Sequence, residues 1–359
     1  TVKFKNPHYI GDPVNAIKIY NEKEVDELII LDISASVDQK TPDYETIADI
    51  TNECFMPVTY GGGITNTAQM QKIFNLGIEK IAINHKGLQN TSFFSEASEE
   101  LFKSIIKGIF FANIKNKPHF ITSKIEHSSI IEAFKYIEKL GAEVTYLDVD
   151  HTGQIDLEQL EKNIRKTTLL LSFSYVNSEI GSIQNLLKIN NICSKNGVDI
   201  HLDVTQSLIH KRINIDDFNN LAFLTFSAHK IYGPKGVGCL IMKKDNDGIK
   251  RKIDPLFHGG SQEYGYRAGT TAVFLIAGLS KAVELLESNF TQYINHINEL
   301  DEYFVTQLQK KYAGFINLNN DFAERVAGII NIRIIGHNNQ FFLKKASNLI
   351  CASTGSACS

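Results

Sequence analysis

The sequence has no apolar run long enough to cross a bilayer as a helix, and no secretory signal opens it. It has little net charge: 37 Lys and Arg against 40 Asp and Glu leave -3 at pH 7. Near-neutrality of this kind gives no reason to expect a nucleic acid or an anionic membrane as partner. Cysteine is scarce, odd in number and scattered: Cys54, Cys193, Cys239, Cys351 and Cys358. That usage fits a reducing cytoplasm with at least one thiol free for chemistry, and not a disulfide framework. No Cys-x-x-Cys pair and no His-rich cluster suggests a metal. What remains is an ordinary soluble composition, 43% hydrophobic and 21% charged, and 359 residues are enough for two domains or more.

One stretch organises the chain, Ser227-Ala228-His229-Lys230-Ile231-Tyr232-Gly233-Pro234-Lys235-Gly236. An apolar run over residues 221–226 reads as a buried strand leading into it, and a second run over 237–242 leaves it. A hydroxyl, an imidazole and a lysine therefore sit together on a tight turn. A lysine that condenses with a cofactor aldehyde needs such a setting, fixed, partly desolvated and neutral for part of the time. A surface lysine in a strand-to-strand turn has the same local sequence, so this stretch alone leaves both readings open.

Residues 27–33, 57–60 and 80–83 read as strands, with helical patterns over 44–54 and 67–76. Alternation at this spacing predicts βα units with parallel strands. Asp32, Gly61-Gly62-Gly63 and Asn84 stand at the carboxyl ends of those strands, where α/β barrels place their sites. The stretches Phe4-Lys5-Asn6, Gly11-Asp12-Pro13-Val14, Asp26-Glu27-Leu28-Ile29-Ile30-Leu31-Asp32-Ile33, Glu53-Cys54-Phe55-Met56-Pro57, Tyr60-Gly61-Gly62-Gly63-Ile64 and Gly77-Ile78-Glu79-Lys80-Ile81-Ala82-Ile83-Asn84 carry a resemblance. The segment 1–99 resembles the cyclase subunit of imidazole glycerol phosphate synthase, a TIM barrel of histidine biosynthesis. The resemblance covers less than half a barrel. It implies that the family's acid and base aspartates are absent and that only phosphate-site elements remain, so cyclase chemistry is not expected.

From about residue 101 strands and helices alternate again: strands over 120–122, 143–147, 169–175, 199–203 and 223–226, helices over 128–140, 157–164 and 186–195. This predicts a mostly parallel, doubly wound sheet with helices on both faces. The last part reads as two helices, 273–287 and 293–311, then a strand over 328–335, which suggests a small α+β domain. The expected division is a partial barrel over 1–99, a large cofactor-binding domain over 100–270 and an incomplete small domain over 271–359.

Several polar residues fall at strand ends or tight turns. Asp203, in His201-Leu202-Asp203-Val204-Thr205-Gln206, ends an apolar strand. A buried carboxylate is costly unless it meets a cation or donor, and a pyridinium nitrogen is such a partner; a helix cap is the alternative. His127, after Glu126, either caps a helix or stacks on a ring. Asn177 follows a buried strand and suits an Asx turn. Arg267-Ala268-Gly269-Thr270 follows the loop His258-Gly259-Gly260-Ser261-Gln262-Glu263 and offers a hydroxyl and backbone donors to an anion. The small, polar Ala352-Ser353-Thr354-Gly355-Ser356-Ala357-Cys358-Ser359 makes Cys358 accessible, and a thiolate on such a loop can take sulfur from a bound substrate. Cys239 and Cys351 lie in apolar runs and read as core residues.

In their order these residues resemble the cysteine desulfurases, pyridoxal 5'-phosphate enzymes of the class V aminotransferase group, over roughly residues 103–359. The resemblance implies the type I fold of that group and a set of roles. Lys230 binds the cofactor aldehyde, Asp203 the pyridine nitrogen and Gln206 the ring oxygen. His127 stacks and moves protons, and Asn177 lies beside cofactor and substrate. Ser227 and His229 hold the phosphate, with Thr270 reaching a neighbouring subunit's cofactor in a homodimer. Cys358 carries the sulfur of L-cysteine as a persulfide to an acceptor protein, for iron-sulfur cluster or tRNA thiolation supply. The family's opening elements, its Thr-containing phosphate loop and its carboxylate-binding arginine are not matched; Ser98 could stand for the threonine. The whole is expected to be a cytoplasmic chimera of two truncated pieces. Another pyridoxal-phosphate lyase or aminotransferase, a phosphate-binding module without turnover, and a fragment without function are the competing readings.

Overall fold

The structure, a computed structural model, describes residues 12–23, 25–38, 40–65, 67–82, 100–244, 248, 251–319, 324–346 and 348–354. It divides into two compact units, residues 1–97 with 257–274, and residues 98–256 with 275–359.

The first unit holds α1 (Pro13–Glu22), β1 (Leu28–Leu31), α2 (Ile33–Val37), α3 (Tyr44–Glu53), β2 (Val58–Gly61), α4 (Thr67–Asn75) and β3 (Lys80–Ala82). Its three strands are parallel and lie in chain order, β1-β2-β3. Ile47, Val58, Tyr60, Ile64, Ile73 and Ile78 form its core. The strand expected over 27–33 is shorter because Asp32 stops it: its Oδ1 accepts from the backbone N–H of Ser34 (3.1 Å) and Ala35 (2.9 Å) and caps α2. At Gly62 φ is +134°, and a Cβ would come within 2.3 Å of the Asp32 carbonyl oxygen, so only glycine fits the turn.

The second unit continues with α5 (Glu100–Asn113), β4 (His119–Ser123), α6 (Ser128–Lys139), β5 (Glu143–Leu147), α7 (Leu157–Asn163), β6 (Thr168–Ser174), α8 (Leu186–Asn196), β7 (Asp199–Asp203), β8 (Leu221–Ser227) and β9 (Gly238–Met242). The six strands form one sheet in the order β5-β4-β6-β7-β8-β9. All neighbours are parallel except β8 and β9, whose short connection returns the chain directly. Ile121, Leu171, Phe173, Ile200, Leu202 and Leu224 are buried together with Leu160 of α7 and Ile189 of α8. Phe102 and Phe110 of α5 and Phe134 of α6 are buried as well, with Phe102 tilted against His201 and Phe134 against Phe120. Helices thus cover both faces, which is why these strands read as continuous apolar runs.

The two helices expected near the end are one, α9 (Val273–Tyr312). The polar residues that suggested a break bond back along the helix: the Ser288 hydroxyl to the Glu284 carbonyl and the Asn289 amide to the Leu285 carbonyl, both at 2.8 Å. A two-stranded antiparallel ribbon follows, β10 (Ile316–Leu318) with β11 (Ile332–Ile334), shorter than the strand expected over 328–335, and then α10 (Asn339–Ala346). Arg325 donates to both carboxyl oxygens of Asp301 on α9, at 2.9 and 2.6 Å, and the Gly328 N–H donates to the same carboxylate at 2.6 Å. Through this ion pair the segment 324–331 is held on α9 while it also meets the loop after β6: Val326 N–H donates to the Gly181 carbonyl at 3.0 Å. Cys351, expected in the core, is exposed, because the apolar residues around it belong to an exposed tail after α10.

Candidate active site

Strands β4, β6, β7 and β8 end side by side. The chain leaves β4 toward β5 and returns across it to β6, so the order reverses between β4 and β6. In open α/β sheets ligands lie outside the strands' carboxyl ends at such a point.

Asp203 is the last residue of β7, paired in register with Ser174 on β6 and Thr225 on β8. It is buried, and burial holds its carboxyl above the ordinary range while the N–H of Thr205, donating to Oδ1 at 2.8 Å, pulls the other way. His127 lies near enough to favour the anion. Among the described residues Asp203 forms no salt bridge with Lys or Arg. The helix cap considered for Asp203 does not arise, since turns, not a helix, follow through residue 210; half-buried Gln206 sits in them.

His127 caps α6 as the sequence allowed. Its Nδ1 accepts from the Ser129 N–H at 3.2 Å and lies 2.7 Å from the Ser129 hydroxyl. An acceptor role at Nδ1 assigns the neutral ring to the Nε2–H tautomer and leaves Nε2 for other partners. Asn177 makes the Asx turn, accepting from the N–H groups of Glu179 (2.9 Å) and Ile180 (3.1 Å). Its amide also donates to the Ile125 carbonyl at 2.9 Å, tying the loop after β6 to the turn that carries His127.

Ser227 ends β8 and is buried. His229 and Lys230 lie on a 3-10 turn, Ala228–Ile231, which a left-handed Tyr232 closes (φ 63°). The ring of His229 is half-buried, and its Nδ1 is enclosed without a hydrogen-bond partner. Burial, then the Lys230 and Lys235 charges, keep that imidazole below its ordinary pKa. Lys230 itself is exposed among the described residues, whereas the sequence led to a partly desolvated setting; it stands on the outer side of a tight turn. Thr270, exposed, belongs with residues 257–274 to the first unit, where the N–H of Gly269 donates to Gln262 at 3.2 Å. Asn84, Ser98 and Cys358 lie outside the described residues.

The structure also brings in a group that the sequence reading passed over. Glu126 had served only to locate His127, yet its carboxyl is enclosed at the switch point. Oε1 accepts from the Ser123 hydroxyl at the end of β4 (2.5 Å), and Oε2 accepts from the N–H (2.8 Å) and hydroxyl (2.6 Å) of Ser174 at the end of β6. Burial, opposed by those donors and reinforced by the Asp203 charge, raises its pKa to about 7. The signal in the sequence is two serines that end strands, but only the sheet order shows that they are neighbours.

The groups present fit pyridoxal phosphate. A buried carboxyl without a salt-bridge partner suits a pyridinium nitrogen, and the unpartnered His229 Nδ1 is a ring nitrogen open to a polar ligand. Among the described residues no cluster could hold a metal, and no helix is long and apolar enough to cross a membrane.

Residues 58–359 match the aminotransferase class-V family, and the chain belongs to it. A cysteine desulfurase IscS of Dictyoglomus turgidum is 34% identical, the alignment covering 92% of this chain and 82% of that one. One of Clostridium botulinum is 36% identical over 80% and 72% of the two chains. Among solved structures, a NifS-like protein matches with a TM-score of 0.64 and 25% identity over 74% and 77% of the chains, and SspA in complex with cysteine with 0.59 and 31% over 72% and 70%. Function and cofactor follow: the chain is a cysteine desulfurase dependent on pyridoxal phosphate. The family match starts at residue 58, within the segment 1–99.

Proposed function

We propose that the crevice at the ends of β4, β6, β7 and β8 binds pyridoxal phosphate and L-cysteine, and that Cys358 receives the sulfur. The observation that carries this reading is the buried Asp203 carboxyl at the sheet's open end, close enough to His127 to interact, one strand from the turn of Lys230. Asp203 would hold the pyridine nitrogen, Gln206 the ring oxygen, Ser227 and His229 the phosphate, and Lys230 the aldehyde carbon. The bound group supplies an electron sink for cleaving the carbon–sulfur bond. His127 would stack on the bound ring and move protons through Nε2, the nitrogen that Ser129 leaves free. Asn177 fixes the substrate side of the crevice. The Cys358 thiolate forms a bond to the substrate sulfur as the bond from that sulfur to carbon breaks. The bond's electron pair stays with carbon, the proton given up by the substrate thiol is passed to that carbon by His127, giving L-alanine, and the persulfide passes to an acceptor protein.

A cytoplasmic homodimer in which Thr270 serves the neighbouring subunit's phosphate completes the reading. The exposed apolar residues Leu300, Tyr303 and Phe304 on one side of α9 support an association of copies. For residues 1–99 the consecutive parallel order β1-β2-β3, with Gly62 and Gly63 after β2, supports a barrel-derived unit with a phosphate site; a ribosyl phosphate titration should show binding that Gly62→Asp abolishes, and no binding speaks against it.

The deciding experiment supplies cysteine and measures alanine and released sulfur. Cys358→Ser should stop sulfur release while the visible band of bound cofactor persists, and Lys230→Ala should abolish both. Sulfide produced equally by Cys358→Ser would assign a lyase instead.

A further inference from the structure

We propose that Glu126 is a positioning residue of the cofactor crevice, clamping the ends of β4 and β6 together and setting the orientation of the His127 ring. The inference rests on the assignment of that crevice to pyridoxal phosphate. Three donors from two strands converge on its carboxyl: the Ser123 hydroxyl, and the N–H and hydroxyl of Ser174. The clamp closes the gap where the strand order reverses. His127 is the next residue, and the carbonyl of Ile125, just before Glu126, is held by Asn177. The turn is therefore pinned at the two residues that lead into the imidazole, one pin reaching β6 and the other the loop beyond it. Freed from Glu126, the turn would keep the Asn177 tether, the cap on α6 and the Lys124 N–H bond to the Leu147 carbonyl, none of which holds Glu126 itself, and the ring could swing away from a cofactor plane.

The charged group that acts on the Glu126 carboxyl is Asp203 from β7, on which His127 acts in turn; Ser123 and Ser174 bring no charge, and Lys124 is turned to Asp148 at 2.5 Å. Burial and the Asp203 charge favour the protonated form of Glu126 up to about pH 7. Burial raises the Asp203 carboxyl as well, so the two acids resist ionising together.

The test compares Glu126→Gln, Glu126→Ala and Ser174→Ala with wild type. The amide of Glu126→Gln can donate to Ser123 and accept from the Ser174 N–H, keeping the clamp without the titration. Two readouts are used: the chemical shifts of the His127 ring by NMR without cofactor, and the dissociation constant for pyridoxal phosphate. Glu126→Ala is expected to weaken cofactor binding tenfold or more and to move the His127 ring signals. Glu126→Gln is expected to bind within threefold of wild type with those signals close to their wild-type positions. Ser174→Ala, which keeps the backbone donor, should lose about threefold in affinity and decides the matter if Glu126→Ala does not fold. An affinity within twofold and unmoved His127 ring signals in Glu126→Ala, or in Ser174→Ala where Glu126→Ala does not fold, overturn the proposal. A wild-type chain that binds no pyridoxal phosphate defeats the parent assignment alone, since the NMR signals still read the clamp.

Discussion

His201 shows how far a single side chain reaches in this sheet. Its Nδ1 lies 2.7 Å from the Ser172 hydroxyl on β6 and its Nε2 2.8 Å from the Thr225 hydroxyl on β8, so one imidazole laces three strands. Burial drives its pKa down to about 3. The native state therefore binds fewer protons than the unfolded chain between about pH 3 and 6.5, and the neutral ring's contribution is present above that window and lost as pH falls through it. His201→Ala should cost about 3 kcal/mol at neutral pH by leaving two buried hydroxyls unpaired. Chemical denaturation from pH 4 to 7 should also show a shallower acid slope in the variant. Asp203 has the opposite sign. Its raised pKa means that stability is greatest below the ordinary carboxylate range and is lost as pH rises. Asp203→Asn should accordingly melt a few degrees higher than wild type at neutral pH without cofactor, by roughly 2–4 °C, while binding pyridoxal phosphate more weakly. A variant with lowered melting temperature and unchanged affinity would make Asp203 a structural residue.

At the level of elements, the ion pair of Arg325 with Asp301 decides how the segment 324–331 meets α9. Burial raises the Asp301 pKa, but the donors Arg325 and Gly328 outweigh it and hold the carboxyl low. The stability this pair brings is thus present above the ordinary carboxylate pKa and lost in acid. Arg325→Met should cost about 3 kcal/mol by leaving a buried carboxylate unpaired, whereas Arg325→Met with Asp301→Leu should recover much of it; equal losses in single and double variants would show that the pair does little. The parallel strands of the second unit were legible because both faces are covered, which turns residues 169–175 and 221–226 into plain apolar runs. The single helix α9 was not, because Ser288 and Asn289 satisfy their own polarity along the helix and so mimic a loop. The cap at His127 and the Asx turn at Asn177 were legible as local chemistry. Glu126 was not, since its partners lie on two strands whose adjacency is a property of sheet order alone. The exposure of Lys230 was missed for a like reason: the sequence shows a tight turn but not what packs over it.

For the whole molecule, the exposed Leu300, Tyr303 and Phe304 on α9 stand three and four residues apart and share one side of the helix. If copies of the chain associate through that side, Leu300→Glu with Tyr303→Glu should shift sedimentation from dimer to monomer; a dimer unaffected by both substitutions moves the interface elsewhere. The account as a whole turns on Lys230 and the crevice beside it, which a covalent mark reads directly. The purified chain is mixed with pyridoxal phosphate, reduced with borohydride, digested and mapped by mass. A single pyridoxyl group on the peptide carrying Lys230, much reduced in Asp203→Ala, is the predicted result. An unmarked chain, or a mark spread over other lysines and indifferent to Asp203, contradicts it.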